Sequence, residues 1–381
     1  MPDAVIVEAV RSPLGKRNGS LSGIHPVDLS GHVLTSLAER AGIDPTVVDD
    51  VIWGCGGQVG DQAMNVARSA VLAAGWPESV PGVTIDRQCG SSQQAVHFAA
   101  AGIASGQYDV AVAGGVESMS RVPMGLTAEG GTPYGPSVEK RYDGLPFHQG
   151  LSAQMIADHW NISRERMDEF SARSHELAQQ ATEAGLFDAE IAPIVNPDGE
   201  TVTHDQGIRP GSSVETLGKL RGAYQEGGDI TAGNASQITD GSAALLLMTP
   251  EKARELGLTP IARVHTAVVV GDDPVMMLSA PIPATRKAIE KSGLSLSDIG
   301  AFEINEAYAS VALAWLAEIG ADEKLLNPLG GAIALGHPIG GSGARIMTTL
   351  LHHMQRENIR YGLQSMCEGG GLANATILEL L

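Results

Sequence analysis

Four short segments of this chain carry residue types that can do covalent chemistry. The first is Asp86-Arg87-Gln88-Cys89-Gly90-Ser91-Ser92, which places a cysteine between an apolar run and an Ala-rich helical run. A thiol at such a turn faces a helix N-terminus, where backbone N–H groups and the helix dipole favour the thiolate, the nucleophilic form. The competing reading is a small buried hydrophobe. The second is Gly330 to Arg345, in which His337 sits among glycines. No Lys ends this run, so it is not a phosphate loop. It offers a base that can take a thiol proton, or else a core histidine in a glycine turn.

The third segment, Glu303-Ile304-Asn305-Glu306-Ala307-Tyr308, puts Asn305 at a strand end, as a helix cap or as the holder of a water or carbonyl. The fourth is Met366-Cys367-Glu368-Gly369-Gly370-Gly371, a second cysteine followed by bare N–H groups able to form an oxyanion hole. Cys55, Cys89 and Cys367 are the three cysteines, and they lie far apart in sequence. That spacing argues against a zinc site and against a disulfide framework, and for a reducing compartment. Cys55, between two glycines, reads as a buried residue.

Elements of an α/β protein surround these segments. Strands are expected at 4–10, 47–53, 83–86 and 110–113, with helices at 26–42, 65–75 and 90–105. The rhythm breaks over 119–236, which reads as a loop-rich insertion with a charged helix at 163–184. It resumes with strands at 261–270 and 299–304, helices at 283–292, 308–320 and 344–356, and two closing strands. Residues 48–54 echo 298–304, and residues 108–115 echo 361–367 in the same order, which suggests two similar halves facing each other. The expected division is 1–118 with 237–259 returning to it, then 119–236 as a cover, then 260–381.

The chain has 381 residues, 44 acidic against 25 basic, for a net charge of −19. This disfavours nucleic acid or an anionic membrane as main partner. No apolar run is long enough to span a bilayer and no signal peptide is visible, so the sequence reads as cytoplasmic.

Taken in order, the four segments resemble the fingerprints of the thiolase family, and the resemblance runs from Val5 to the last strand. It implies two βαβαβαββ halves stacked as α/β/α/β/α layers with an inserted loop domain. It also implies acyl-CoA and CoA as substrates, no permanently bound cofactor, and a homodimer or homotetramer. By the same resemblance Cys89 is the acylated nucleophile, His337 its base, and Cys367 the acid and base at the substrate α-carbon. Asn305 holds the water of one oxyanion hole, and the N–H groups of Cys89 and Gly369 form the other. Thr231 to Ser236 resembles the pantetheine loop, with Ser236 facing the amide. Arg209 stands where the family puts a base near the nucleotide, and His148-Gln149-Gly150 resembles a His-Met-Gly loop over the acyl pocket. Met277 keeps a methionine beside the acyl group, while Leu278 stands where glycine is usual. Tyr308 replaces a usual Phe. The rival of the same fold, a β-ketoacyl synthase, uses one Cys and two His, which Asn305 and Cys367 contradict. A non-catalytic CoA- or lipid-binding member would not need both cysteines and His337. Leu278, Gln149 and the Gly15–Gly19 segment lean towards degradation of an acyl-CoA larger than acetoacetyl-CoA.

Overall fold

The computed structural model describes residues 3–145 and 147–381. Its strands are β1 Val5–Arg11, β2 Gly15–Lys16, β3 Asp50–Gly54, β4 Gly82–Ile85, β5 Val110–Ser118, β6 Ile194–Val195, β7 Thr201–Val202, β8 Thr239–Met248, β9 Ala262–Gly271, β10 Ala301–Ile304, β11 Tyr361–Glu368 and β12 Leu372–Leu380. Apart from the β6–β7 ribbon they form one sheet, ordered β10-β11-β12-β9-β1-β8-β5-β3-β4, with β2 beside β8.

The sheet is built from one unit used twice. Strands β1-β8-β5-β3 pair antiparallel, antiparallel, then parallel, and β9-β12-β11-β10 repeat that pattern. The halves join where Val5 and Ile6 of β1 pair with Arg263 and Ala262 of β9. The two sequence echoes fall on equivalent strands, β3 with β10 and β5 with β11.

Helices fill three layers around these halves. Pro26–Ala41 buries Leu29, Val33, Leu34 and Leu37 against the outer face of the first half and ends at Gly42 with φ 67°. Four such side chains contribute roughly 1.5–3 kcal/mol each, more than helix propensity alone supplies. Pro281–Ser292 and Ala309–Ile319 cover the second half in the same way. Between the halves lie Ser91–Ser105 and Ser342–Glu357, whose apolar faces share a core with Ile6, Ile52, Leu245, Leu247 and Leu378. Their N-termini touch. Gly343 lies so close to the Gln93 backbone that a Cβ would not fit, and the Ala344 N–H donates to Ser92 Oγ at 2.8 Å.

Three expectations need correction. The Gly114-Gly115 pair does not end a strand, since β5 runs on to Ser118. A Cβ on Gly114 would meet the Trp53 ring, and one on Gly115 would meet the Gly340 carbonyl, so these glycines serve close approach. Strand β8, buried along all ten residues, was not foreseen. The third is a helix, Gln149–His159, that stands where a turn was expected.

Candidate active site

Cys89 lies between β4 and the helix Ser91–Ser105, on a turn forced by Gln88 at φ 51°. The Gln88 N–H donates to Asp86 Oδ1 at 2.6 Å, and Ser91 Oγ donates to the Gln88 carbonyl at 2.6 Å. His337 lies five residues before the helix Ser342–Glu357 packed against that one, so the touching N-termini bring both residues to one cavity. That inner cavity, about 100 Å³, is lined by Cys89, His337, Tyr308, Tyr224, Gln149 and Ser236 among others.

The imidazole is held in one tautomer. Ser342 Oγ donates to the Pro338 carbonyl at 2.8 Å, so it accepts from His337 Nδ1–H at 2.5 Å. Nε2 then carries the lone pair, and it is buried without a hydrogen-bond partner among the described residues. Burial first, and the Arg345 charge second, push the His337 pKa down to about 3, so the ring is neutral and free to accept a proton. Two buried carboxylates anchor the loop on either side. Glu306 accepts from the Ile333 N–H at 3.1 Å and Glu117 from the Gly340 N–H at 2.8 Å.

The thiolate expected at the helix N-terminus is not the resting state. Burial is the largest influence on Cys89, followed by Cys367 and Glu368, and together they hold its pKa well above the ordinary thiol value. A helix terminus is worth about 0.3–2 kcal/mol, too little to offset complete burial. Neutral thiol and neutral imidazole therefore face one cavity, and charge separates only as a substrate reacts.

Asn305 and Cys367 end two parallel neighbours, β10 and β11. The Asn305 N–H donates to the Ser365 carbonyl, and its Nδ2 donates to Cys367 Sγ at 3.8 Å. Its Oδ1 is buried and unpartnered among the described residues, as suits a group that holds a water. Burial raises the Cys367 pKa to about 12, against the lowering by Asn305. Gly369 follows one residue beyond β11, beside Gln88.

Between Cys367 and Gly369, Glu368 is buried with both carboxylate oxygens unpartnered among the described residues, and burial raises its pKa to about 8. A carboxyl raised in the folded state loses stability as pH climbs from its unfolded value of about 4.3 through 8. Glu368→Gln is therefore expected to raise the thermal midpoint at pH 8.5 and to raise it only about a fifth as much at pH 5. An equal shift at both pH values would contradict this.

Two further cavities adjoin the inner one. A side cavity of about 150 Å³ is lined by Cys89, Gly56, Gly57, Ile339, Met119, Met124 and Gln149 among others. A mouth of about 530 Å³ is lined by Ser236, Tyr224, Arg209, Lys16 and Arg17, with no carboxylate on its wall. Arg209 and Ser236 thus share one opening. Lys16 and Arg17 were not singled out for it, because β2 joins them to this wall only through the unforeseen β8. Glu117 was missed too, although an acid inside an otherwise small and apolar strand was a visible signal.

Met277 and His148 line none of the three cavities. Met277 is buried at φ 48° in the core of the second half, and Leu278 packs beside it. The left-handed backbone thus falls on Met277, and Leu278 beside it is buried in the same core. His148 is exposed, and its Nδ1 accepts from the Leu151 N–H at 3.4 Å. Among the described residues no cluster of His, Cys, Asp or Glu is placed to hold a metal ion, and no helix is long and apolar enough to cross a membrane.

Duplicated halves, a cysteine on a sharp turn, a neutral histidine and a second cysteine define an acyl-transferring enzyme of the thiolase kind. Comparison with known proteins agrees: the models of the thiolase N-terminal and C-terminal domains match residues 4–251 and 258–380, and the chain belongs to the thiolase family. It is 49% identical to the steroid 3-ketoacyl-CoA thiolase FadA6 of Mycobacterium tuberculosis, covering 100% of this chain and 95% of that one. It is 44% identical to a 3-ketoacyl-CoA thiolase of Escherichia fergusonii over the whole of both chains. The crystal structure of the Bacillus anthracis acetyl-CoA acetyltransferase superposes with a TM-score of 0.92 at 42% identity, covering 100% of this chain and 99% of that one.

Proposed function

We propose that this enzyme cleaves 3-oxoacyl-CoA with CoA to give acetyl-CoA and a shortened acyl-CoA, reversibly, through an acyl-enzyme on Cys89. The observation that carries the reading is Cys89 and the lone pair of His337 Nε2 opening on one cavity. His337 takes the thiol proton, and Cys89 Sγ attacks the 3-keto carbon. The tetrahedral oxyanion collapses, the bond between C2 and C3 breaks, and its electron pair leaves as the enolate of acetyl-CoA. Cys367 gives that carbon a proton. A second CoA thiol then gives its proton to the Cys367 thiolate and attacks the Cys89 thioester, releasing the shortened acyl-CoA, while the departing Cys89 sulfur takes back its proton from His337. Asn305 with a water, and the N–H groups of Cys89 and Gly369, stabilise the two oxyanions.

CoA is a substrate here and no resident cofactor is needed. Its pantetheine would pass Ser236 and its phosphates would meet Arg209, Lys16 and Arg17. The segment 119–236 supplies much of the cover over this path. Three free buried cysteines suit a reducing compartment, taken here as the cytoplasm. A homodimer is proposed through the edge strand β4 with the exposed Val83 and Phe98. A monomer in sedimentation at micromolar concentration would exclude it.

The substrate is proposed to be larger than acetoacetyl-CoA, as the name of the mycobacterial relative suggests. The likeness to an acetyl-CoA acetyltransferase favours the short-chain alternative. Measuring kcat/KM for thiolysis of C4, C8, C16 and ring-bearing 3-oxoacyl-CoAs decides between them, and a clear C4 preference rejects the larger substrate. In the same assay, replacing both Lys16 and Arg17 by Ala is expected to raise the KM for CoA about tenfold and leave kcat within about twofold. It should also flatten the dependence of KM on salt. An unchanged KM would remove these residues from the phosphate site.

A further inference from the structure

Glu368 is the last residue of β11, and it is fully buried. As neighbours on a strand do, its side chain and that of Cys367 leave the sheet on opposite faces. Glu368 lies against the Cys89 turn: a Cβ on Gly90 would collide with Glu368 Oε1 and stand 2.8 Å from Asn374 Nδ2. Asn374, on β12, donates through that Nδ2 to the Gly90 carbonyl at 3.0 Å. Glu368 and Asn374 therefore join the turn that carries Cys89 to the hairpin that carries Gly369. The two N–H groups of the proposed oxyanion hole belong to these two pieces of backbone.

The polar atoms packed against Gly90 do not balance. Both Glu368 oxygens and Asn374 Oδ1 are buried and unpartnered among the described residues, which makes three acceptors without a donor. A proton on the carboxyl corrects this, because it creates an O–H that can donate to Asn374 Oδ1. The charged groups nearby offer no substitute. Arg87, on the Cys89 turn, makes no ion pair with Glu368 among the described residues, and its Nε is itself buried and unpartnered. Asp86 beside it adds a negative charge. Cys89 and Cys367 are neutral thiols at rest. Burial, the largest influence, raises the Glu368 pKa to about 8 against the Arg87 charge, so the acid form prevails at neutral pH. During the reaction the enolate oxygen gathers negative charge at the Cys89 and Gly369 N–H groups. A carboxylate behind those groups, in so buried a site, would repel that charge and lose its donor to Asn374; a neutral carboxyl does neither.

We propose that Glu368 is a positioning residue that works as an uncharged carboxylic acid, clamping the two sides of the oxyanion hole together, and that its ionisation stops turnover from the alkaline side. This rests on the thiolase reading and concerns the same site. The test follows kcat/KM for thiolysis of one accepted 3-oxoacyl-CoA from pH 6.5 to 9.5 in the wild type, Glu368→Gln and Arg87→Gln. Glutamine keeps the shape of the protonated carboxyl and an N–H for Asn374, but it cannot ionise. The ratio of wild type to Glu368→Gln is expected to stay near one up to pH 7 and to fall about tenfold by pH 9, as a single group with a pKa of about 8 requires. Ionisation of the CoA thiol and of the substrate is common to both enzymes and cancels in the ratio. Circular dichroism at each pH, with recovery on return to pH 7, separates the effect from unfolding. Arg87→Gln, which removes the cation that favours the carboxylate, should move the fall to higher pH. Should Glu368→Gln fail to fold, the comparison of the wild type with Arg87→Gln decides alone. A ratio constant across the range, a fall that tracks unfolding, or a fall that Arg87→Gln does not move upward overturns the proposal while thiolysis itself stands. A wild type that cleaves no 3-oxoacyl-CoA at pH 7, acetoacetyl-CoA included, would instead overturn the thiolase reading beneath it.

Discussion

Cys89→Ala is expected to lower thiolysis of any accepted 3-oxoacyl-CoA by at least about 10⁴-fold, and condensation equally, since losing a nucleophile costs that much or more. The side chain is 4% exposed and opens on both the inner cavity and the side cavity next to it. Cys55 and Cys367 are each fully buried and line neither, so no second thiol is placed to take over the attack. Alanine removes one sulfur from a site with space beside it, so the fold should survive. Steady-state thiolysis read alongside the thermal midpoint checks both halves of this expectation. A folded variant that keeps more than about one per cent of the activity would exclude Cys89 as the acylated residue.

Cys367→Ser should separate the two halves of the reaction. Its sulfur sits 3.8 Å from Asn305 Nδ2 at the end of β11, and it is fully buried. Serine keeps the size and a hydrogen bond but is a far weaker acid, so proton transfer at the α-carbon should fall by about 10²–10⁴-fold. Acylation of Cys89 by an acyl-CoA does not touch that carbon and should continue. The measurement pairs exchange of the acetyl-CoA methyl protons into heavy water with mass-spectrometric labelling of Cys89. Loss of labelling together with exchange would show that the two thiols do not divide the work in this way.

Much of this site was legible because its chemistry sits at element boundaries that glycines mark. Cys89, Asn305, His337 and Cys367 each lie at or beside the end of a strand or the start of a helix, and those elements showed their periods. What stayed hidden were long-range approaches. Gly114 and Gly115 read as a strand end because a glycine pair looks the same whether it breaks a strand or lets Trp53 and Gly340 come near. Strand β8 has no alternation, since both its faces are covered, and so it gave no period-two signal. Lys16 and Arg17 reach the mouth only through pairing with that strand. Leu278 drew attention as a departure from glycine, yet its place in the core depends on the whole second half.

Strand β8 lies between β1 and β5, although roughly 120 residues separate the end of β5 from its first residue. On the ribosome, at about 5–20 residues per second, that interval lasts roughly 6–24 s. During it β1 and β5 have emerged without the strand that joins them, and each presents an open edge of unpaired backbone groups. The first half therefore cannot close before Met248 leaves the exit tunnel. Nascent chains halted just short of that point should be held by chaperones or degraded, while chains halted beyond it can already fold their first half.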